Sequence, residues 1–98
     1  VDRSDRRPSV VLFTWSTAKS ANNLSKHGVS FEEGATVLFD PLELSDVDPM
    51  FPDRSISVGT SDRGRLLLIV YRETSAIIRM ISAREATRRE RKAYEEGD

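Results

Sequence analysis

Cysteine is absent from the 98 residues, and histidine occurs once, at His27. Without thiols, neither a disulfide nor a thiolate metal site can form. A single imidazole leaves only carboxylates as further ligands, and the neighbouring Glu32 and Glu33 diverge on a helical turn, so neither metal nor cofactor is expected. The five glycines are scattered and none opens a helix after a strand, which excludes a nucleotide-binding glycine loop. A serine nucleophile would have His27 as its only available base. The longest apolar run, Leu66 to Tyr71, is far too short to cross a membrane, and the opening VDRSDRRPS has no apolar stretch of the signal-peptide kind. A cytoplasmic protein is expected. An excess of one charge is also lacking: the net charge of −1 argues against gripping nucleic acid through bulk electrostatics.

What is present reads as one globular domain, with 38% hydrophobic and 32% charged residues. Residues 1–9 are polar and closed by Pro8, and are expected to form a flexible tail before a single domain over residues 10–98. The small net charge conceals an asymmetry. Val1 to Asp53 holds five basic residues against nine acidic ones, whereas Arg54 to Asp98 holds ten against seven. Every basic residue after Lys26 except Lys92 is arginine, whose planar fork suits phosphate recognition. Arg88, Arg89, Arg91 and Lys92, interleaved with acids, read as a solvated helix face. Arg54, Arg63, Arg65, Arg72, Arg79 and Arg84 lie in or beside expected strands, where that explanation does not apply.

The pattern of elements is β-α-α-β-β-β-α, an α+β fold with an antiparallel sheet packed by helices. Val10 to Trp15 reads as a first strand. Ser16 caps a helix to about Lys26, with Ala18, Ala21 and Leu24 spaced for one face, and Gly28 ends it. Ser30 with Glu33 forms a capping box for a second helix whose apolar stripe is Phe31, Ala35, Leu38 and Phe39. Pro41 to Asp53, with its prolines and acids, reads as a loop. Strands are expected near 54–58, 66–72 and 77–82, joined by short turns and therefore antiparallel. A last helix is expected over residues 83–96, with Ser82 as cap and Glu85 completing the box. Trp15 is expected in the core beside Leu24 and Phe39.

The chemistry must come from few groups: one imidazole, the lysine beside it, arginines on a sheet, and two tyrosines. Cutting RNA through its own 2′-hydroxyl needs a group to take that proton, one to protonate the leaving oxygen, and cations to stabilise the phosphorane. Lysine, histidine and arginine supply all three, and imidazole changes charge near neutral pH. Each residue also has a structural reading. Lys26 and His27 complement the dipole at a helix C-terminus. Arg79 is expected to share a strand face with Ile77 and Ile81, so it is either paired or projects into a groove. Arg84, read as opening the last helix, opposes the dipole there and calls for an anion. Arg54 and Arg65 also serve as edge charges, and Tyr94 either packs or donates a hydrogen bond.

Trp15, Lys19, Asn22, Lys26-His27-Gly28 and Phe31-Glu32-Glu33 are followed by Asp40-Pro41, Arg54, Gly59, Gly64-Arg65-Leu66, Ile81-Ser82-Ala83-Arg84, Ala86, Glu90 and Tyr94-Glu95-Glu96. In this order and spacing the chain resembles the BrnT toxins from about Leu12 to Glu96. The resemblance implies a RelE-like fold and a metal-independent endoribonuclease of a bacterial type II toxin-antitoxin system that cleaves mRNA by 2′-hydroxyl attack. It further implies a DNA-binding antitoxin of the BrnA type, whose complex with the toxin represses its own operon, and an RNA substrate met free or at the ribosome. Lys26 and His27 are then expected to transfer protons while Arg54, Arg79 and Arg84 hold the scissile phosphate. Arg63, Arg65 and Tyr94 are expected to bind substrate. The chain departs from the family at Ser16, where an aspartate is usual, and in the loop Asp48-Pro49-Met50-Phe51-Pro52-Asp53, which is shorter and lacks the family's histidine. The alternative is a non-catalytic module that binds antitoxin, RNA or the ribosome and has lost cleavage with that loop.

Overall fold

A computed structural model describes residues 10–97, so the tail expected over residues 1–9 lies outside the described residues. The elements are β1 (Leu12–Thr14), α1 (Thr17–His27), α2 (Phe31–Ala35), β2 (Leu44–Val47), β3 (Ser55–Thr60), β4 (Leu66–Thr74), β5 (Ile77–Glu85) and α3 (Arg88–Glu96). Five strands form one sheet in the order β1-β5-β4-β3-β2. The run from β2 to β5 is an antiparallel meander, as the short connections require. β1 joins it in parallel beside β5, with Thr14 in register with Arg79, so the sheet is mixed. Local turns could not reveal that pairing, because the two strands are joined through the helices and the rest of the sheet.

One face of the sheet carries the core. Leu67, Ile69 and Tyr71 of β4 and Ile78, Met80 and Ala83 of β5 pack against Val29, Phe31, Ala35, Val37 and Leu38, all buried. α2 lies close to the sheet because Gly34 has no side chain; a Cβ there would stand 3.0 Å from that of Ala83. Beyond Ala35 the helix tightens into a 3-10 turn over Thr36–Phe39. At this junction the Thr36 hydroxyl donates to the Glu33 carbonyl at 2.6 Å while accepting from the Asp62 amide at 2.9 Å.

The structure corrects several local expectations. β2 lies inside the segment read as a loop, where Leu44 to Val47 pair with Val58 to Ser55. β5 runs on to Glu85, and α3 begins only at Arg88, under a capping box of Thr87 and Glu90. The sequence holds two such boxes, Ser82 with Glu85 and Thr87 with Glu90; pairing of Ala83–Glu85 with β4 selects the second. Arg84 is therefore a strand residue and opens no helix. Ser30 caps α2 through the Glu33 amide, but the Glu33 side chain does not return to it. Ala18, Ala21 and Leu24 face solvent, and the buried residue of α1 is Asn23. Trp15 meets Phe31 edge-on at 6.1 Å, whereas Phe39 is 71% exposed and meets Phe13, also edge-on.

Candidate active site

α1 is held at the free edge of β5 by one side chain. β1 covers β5 only as far as Arg79, leaving the backbone of Ala83 without a strand partner on that side. Asn23 supplies the partner: its Nδ2 donates to the Ala83 carbonyl at 2.8 Å, and its Oδ1 accepts from the Ala83 amide at 3.2 Å. The same Nδ2 donates to the Val29 carbonyl at 2.8 Å, fixing the turn between α1 and α2. Asparagine is a poor residue for a helix interior, and that misfit is the only sign of its role in the sequence.

Beside this anchor lies a shallow depression of about 220 Å³ lined by Lys19, Asn22, Asn23, Lys26 and His27 of α1 and by Ile81 and Ser82 of β5. The spacing of Lys19, Asn22 and Lys26 puts them on one helical face. Gly28, with φ of 71°, ends the helix just past His27. On the strand side the sheet is irregular. Met80 pairs with Tyr71 and Ser82 with Val70, leaving Ile81 as an extra residue, a β-bulge of the kind that re-aims side chains next to active sites. Lys26 and His27 are exposed, with no ion pair or hydrogen-bonded side chain among the described residues. Two groups able to carry protons thus stand free in one concavity.

The expected arginines are distributed around this depression, and none of them lines it. Arg79 and Arg84 precede and follow Ile81-Ser82 on β5. Arg79 is exposed, without a partner among the described residues. Arg84 is engaged, Nη1 and Nη2 each meeting a carboxylate oxygen of Glu90 at 2.9 Å and Nη1 also the Glu85 carbonyl at 3.1 Å. That fork is the main reason the Glu90 carboxyl ionises below its ordinary range. The Nε of Arg84 and the remaining proton on Nη2 stay available.

Arg54 stands apart from His27, just ahead of β3 and therefore two strands from β5, roughly 10 Å across the sheet. Ser55 pairs with Tyr71, so Arg54 falls one step beyond the paired part of β3, on the side of Arg72, and Arg72 lies directly opposite Arg79. The Arg54 guanidinium rests over the ring of Phe51, 4.4 Å from its centroid.

Arg65 and Tyr94 are committed to the fold. Arg65 donates Nε and Nη2 to the two oxygens of buried Glu33, and Nη2 also to the Gly28 carbonyl at 3.0 Å. The Ser61 hydroxyl donates to the same Glu33 carboxylate at 2.7 Å. The Arg65 hydrogen bond, opposed by burial and helped by Ser61, holds the Glu33 carboxyl below its usual value. The turn that carries His27 is thereby tied to the start of β4. Tyr94 donates its hydroxyl to Asp40 and lies 3.2 Å from the Thr60 hydroxyl, joining α3 to the end of the 3-10 turn. Burial raises the Asp40 carboxyl, but bonds from the Thr60 amide, Tyr94 and the Leu42 amide outweigh it and leave the group lowered. Arg63 is exposed in the turn before β4.

The family model described as "Ribonuclease toxin, BrnT, of type II toxin-antitoxin system" matches residues 15–90, which include the depression, the bulge and all the expected site residues except Tyr94. The crystal structure of the Brucella abortus ribonuclease toxin BrnT shares the fold, with a TM-score of 0.62 and 22% identity over 81% of this chain and 100% of that one. No curated protein matches the chain.

Proposed function

The chain belongs to the BrnT family of ribonuclease toxins of type II toxin-antitoxin systems, and on that premise we propose that it is a metal-independent endoribonuclease that cleaves mRNA by attack of the 2′-hydroxyl. The observation that carries this reading is the pairing of Lys26 and His27, both free of partners among the described residues, in one depression against the bulge of β5. One of the two takes the 2′-hydroxyl proton and the other protonates the leaving 5′-oxygen. Arg79, and Arg84 through the N–H groups that Glu90 leaves unused, stabilise the charge that grows on the phosphate. Arg54 and Arg63 contact phosphates farther along the strand. Arg65 and Tyr94 act by holding the elements in place. The reading gives both proton transfers to side chains.

A type II toxin has an antitoxin, and we assign to this one a DNA-binding partner of the BrnA type whose complex represses the shared operon. Arg79 and its neighbours are cations that a carboxylate-bearing segment would cover.

Purified protein incubated with RNA in excess EDTA is expected to cut it and to leave 2′,3′-cyclic phosphate or 3′-phosphate ends. Cleavage abolished by EDTA and restored by magnesium would overturn the mechanism. RNA that is bound but left intact would make the chain a binding module.

A further inference from the structure

The loop between β2 and β3 presents an aromatic ring beside a row of arginines, and its geometry is fixed from within. Asp48 accepts the amides of Met50 and Phe51 on Oδ1, at 2.9 and 3.4 Å, and its own amide donates to the Arg54 carbonyl at 3.0 Å. The Arg54 amide closes the turn on the Phe51 carbonyl at 2.9 Å. The loop backbone at Phe51 is therefore fixed, and its ring has one face taken by the Arg54 guanidinium at 4.4 Å, while the residue remains 47% exposed. An apolar ring placed this way gains little from burial.

The arginines next to it are arranged at a cost. Arg72 and Arg79 are opposed across β4 and β5, and like charges so placed repel. Asp53, from the same loop, meets the Nε of Arg72 at 2.8 Å and so answers one of them. Arg79 has no partner among the described residues. The Nε of Arg54 is buried without a hydrogen-bond partner among the described residues, so the guanidinium is positioned by the Phe51 ring and not through that atom.

We infer that this corner of the sheet is a nucleotide subsite: a base of single-stranded RNA stacks on the outward face of Phe51, and the adjoining phosphate lies against Arg54, at the far end of the row from the Arg79 that meets the scissile phosphate. Exposed aromatics beside arginines are the common means of holding single strands, since every base has a face to stack and every nucleotide a phosphate. The inference rests on the ribonuclease reading, because it places a nucleotide of the substrate away from the bond being cut. Charge favours RNA over a protein partner here, for the row offers cations at neighbouring positions and only one carboxylate among the contacts formed.

The test uses the whole chain and a short fluorescein-labelled oligouridylate with 2′-O-methyl groups, which cannot be cut through its own 2′-hydroxyl. Phe51→Ala is expected to weaken binding about tenfold. Phe51→Trp is expected to retain binding, with its added emission quenched by the oligonucleotide, and Met50→Ala, at the neighbouring and more open position of the loop, to leave affinity unchanged. Full affinity in Phe51→Ala, in a protein whose parent still cuts unmodified RNA, overturns the subsite and spares the ribonuclease reading. Failure of the parent to bind or cut any RNA overturns both. An oligoglutamate peptide that depends on Phe51 when RNA does not would assign the surface to a protein partner and overturn the inference.

Discussion

The carboxamide of Asn23 meets both backbone groups of Ala83, so that a helix side chain stands where the next strand of the sheet would be. Replacing it leaves the Ala83 amide and carbonyl and the Val29 carbonyl without their partner in a buried place. Asn23→Leu is expected to lose about 2 to 4 kcal/mol of unfolding free energy. Asn23→Asp, which keeps the shape and the acceptor but loses the donor, is expected to be destabilised as well. Urea denaturation followed by far-ultraviolet circular dichroism measures both, and a stability equal to the parent in either would show that α1 is held in some other way.

His27 and Lys26 differ from Asn23 in being exposed, and their replacement is expected to affect chemistry alone. His27→Asn and Lys26→Ala should each slow RNA cleavage by on the order of 100-fold or more, with melting temperatures close to the parent. A His27→Asn protein that cuts at the parental rate would reduce His27 to a residue that ends a helix.

The two ends of the pH range test different contacts. Glu33, held by Arg65, ionises below its ordinary value of 4.5, so the unfolded chain binds that proton more readily than the folded one. Its contribution to stability is complete above that value and is lost as the pH falls through the depressed folded one. Tyr94 shows the opposite sign. Its hydrogen bond to Asp40 raises the phenol above 10.0, and the contribution, complete below that value, is lost as the pH rises through the raised one. Thermal melts across pH should show Glu33→Gln less stable near neutrality and less sensitive to acid, and Tyr94→Phe less sensitive to alkali. Unchanged acid and alkaline limbs would contradict both.

Gly59 tests close packing at the core face of β3. A Cβ there would lie 2.9 Å from Cγ1 of buried Val37 and 3.2 Å from Oδ2 of Asp40, which also receives Tyr94 and the Thr60 amide. Gly59→Ala is expected to cost about 1 to 3 kcal/mol in chemical denaturation. A neutral effect would mean that the turn after α2 shifts freely.

Caps and turns were readable because they are written in neighbouring residues. Ser16 with Gly28 bounds α1, and the turn at Ser61 to Gly64 falls where its residue types put it. Long-range pairing was not readable. The edge strand Leu44–Val47 is too short and polar to stand out, and two successive cap signatures, at Ser82 and at Thr87, could be separated only by knowing how far β5 pairs with β4. At the candidate site, the lysine and histidine side by side in the chain remained side by side in space. The arginines did not share the depression, because strand order set Arg54 two strands away and Glu90 took up the fork of Arg84. Asn23 and the bulge went unrecognised, since each is defined by its partner across the fold.

Ile81 also sets the parity of everything that follows it in β5. Up to Met80 the even-numbered positions point at the helices; from Ala83 onward the odd-numbered ones do. Were the strand regular, Ser82 and Arg84 would be directed into the apolar layer and Ala83 away from Gly34. Regular pairing of Ile81 would therefore act as an inversion of the strand's second half, placing a guanidinium where a methyl group now fits and withdrawing from Asn23 the backbone it holds, whereas deletion of Ile81 would leave Ser82 opposite Val70 and Ala83 opposite Ile69 as they are now.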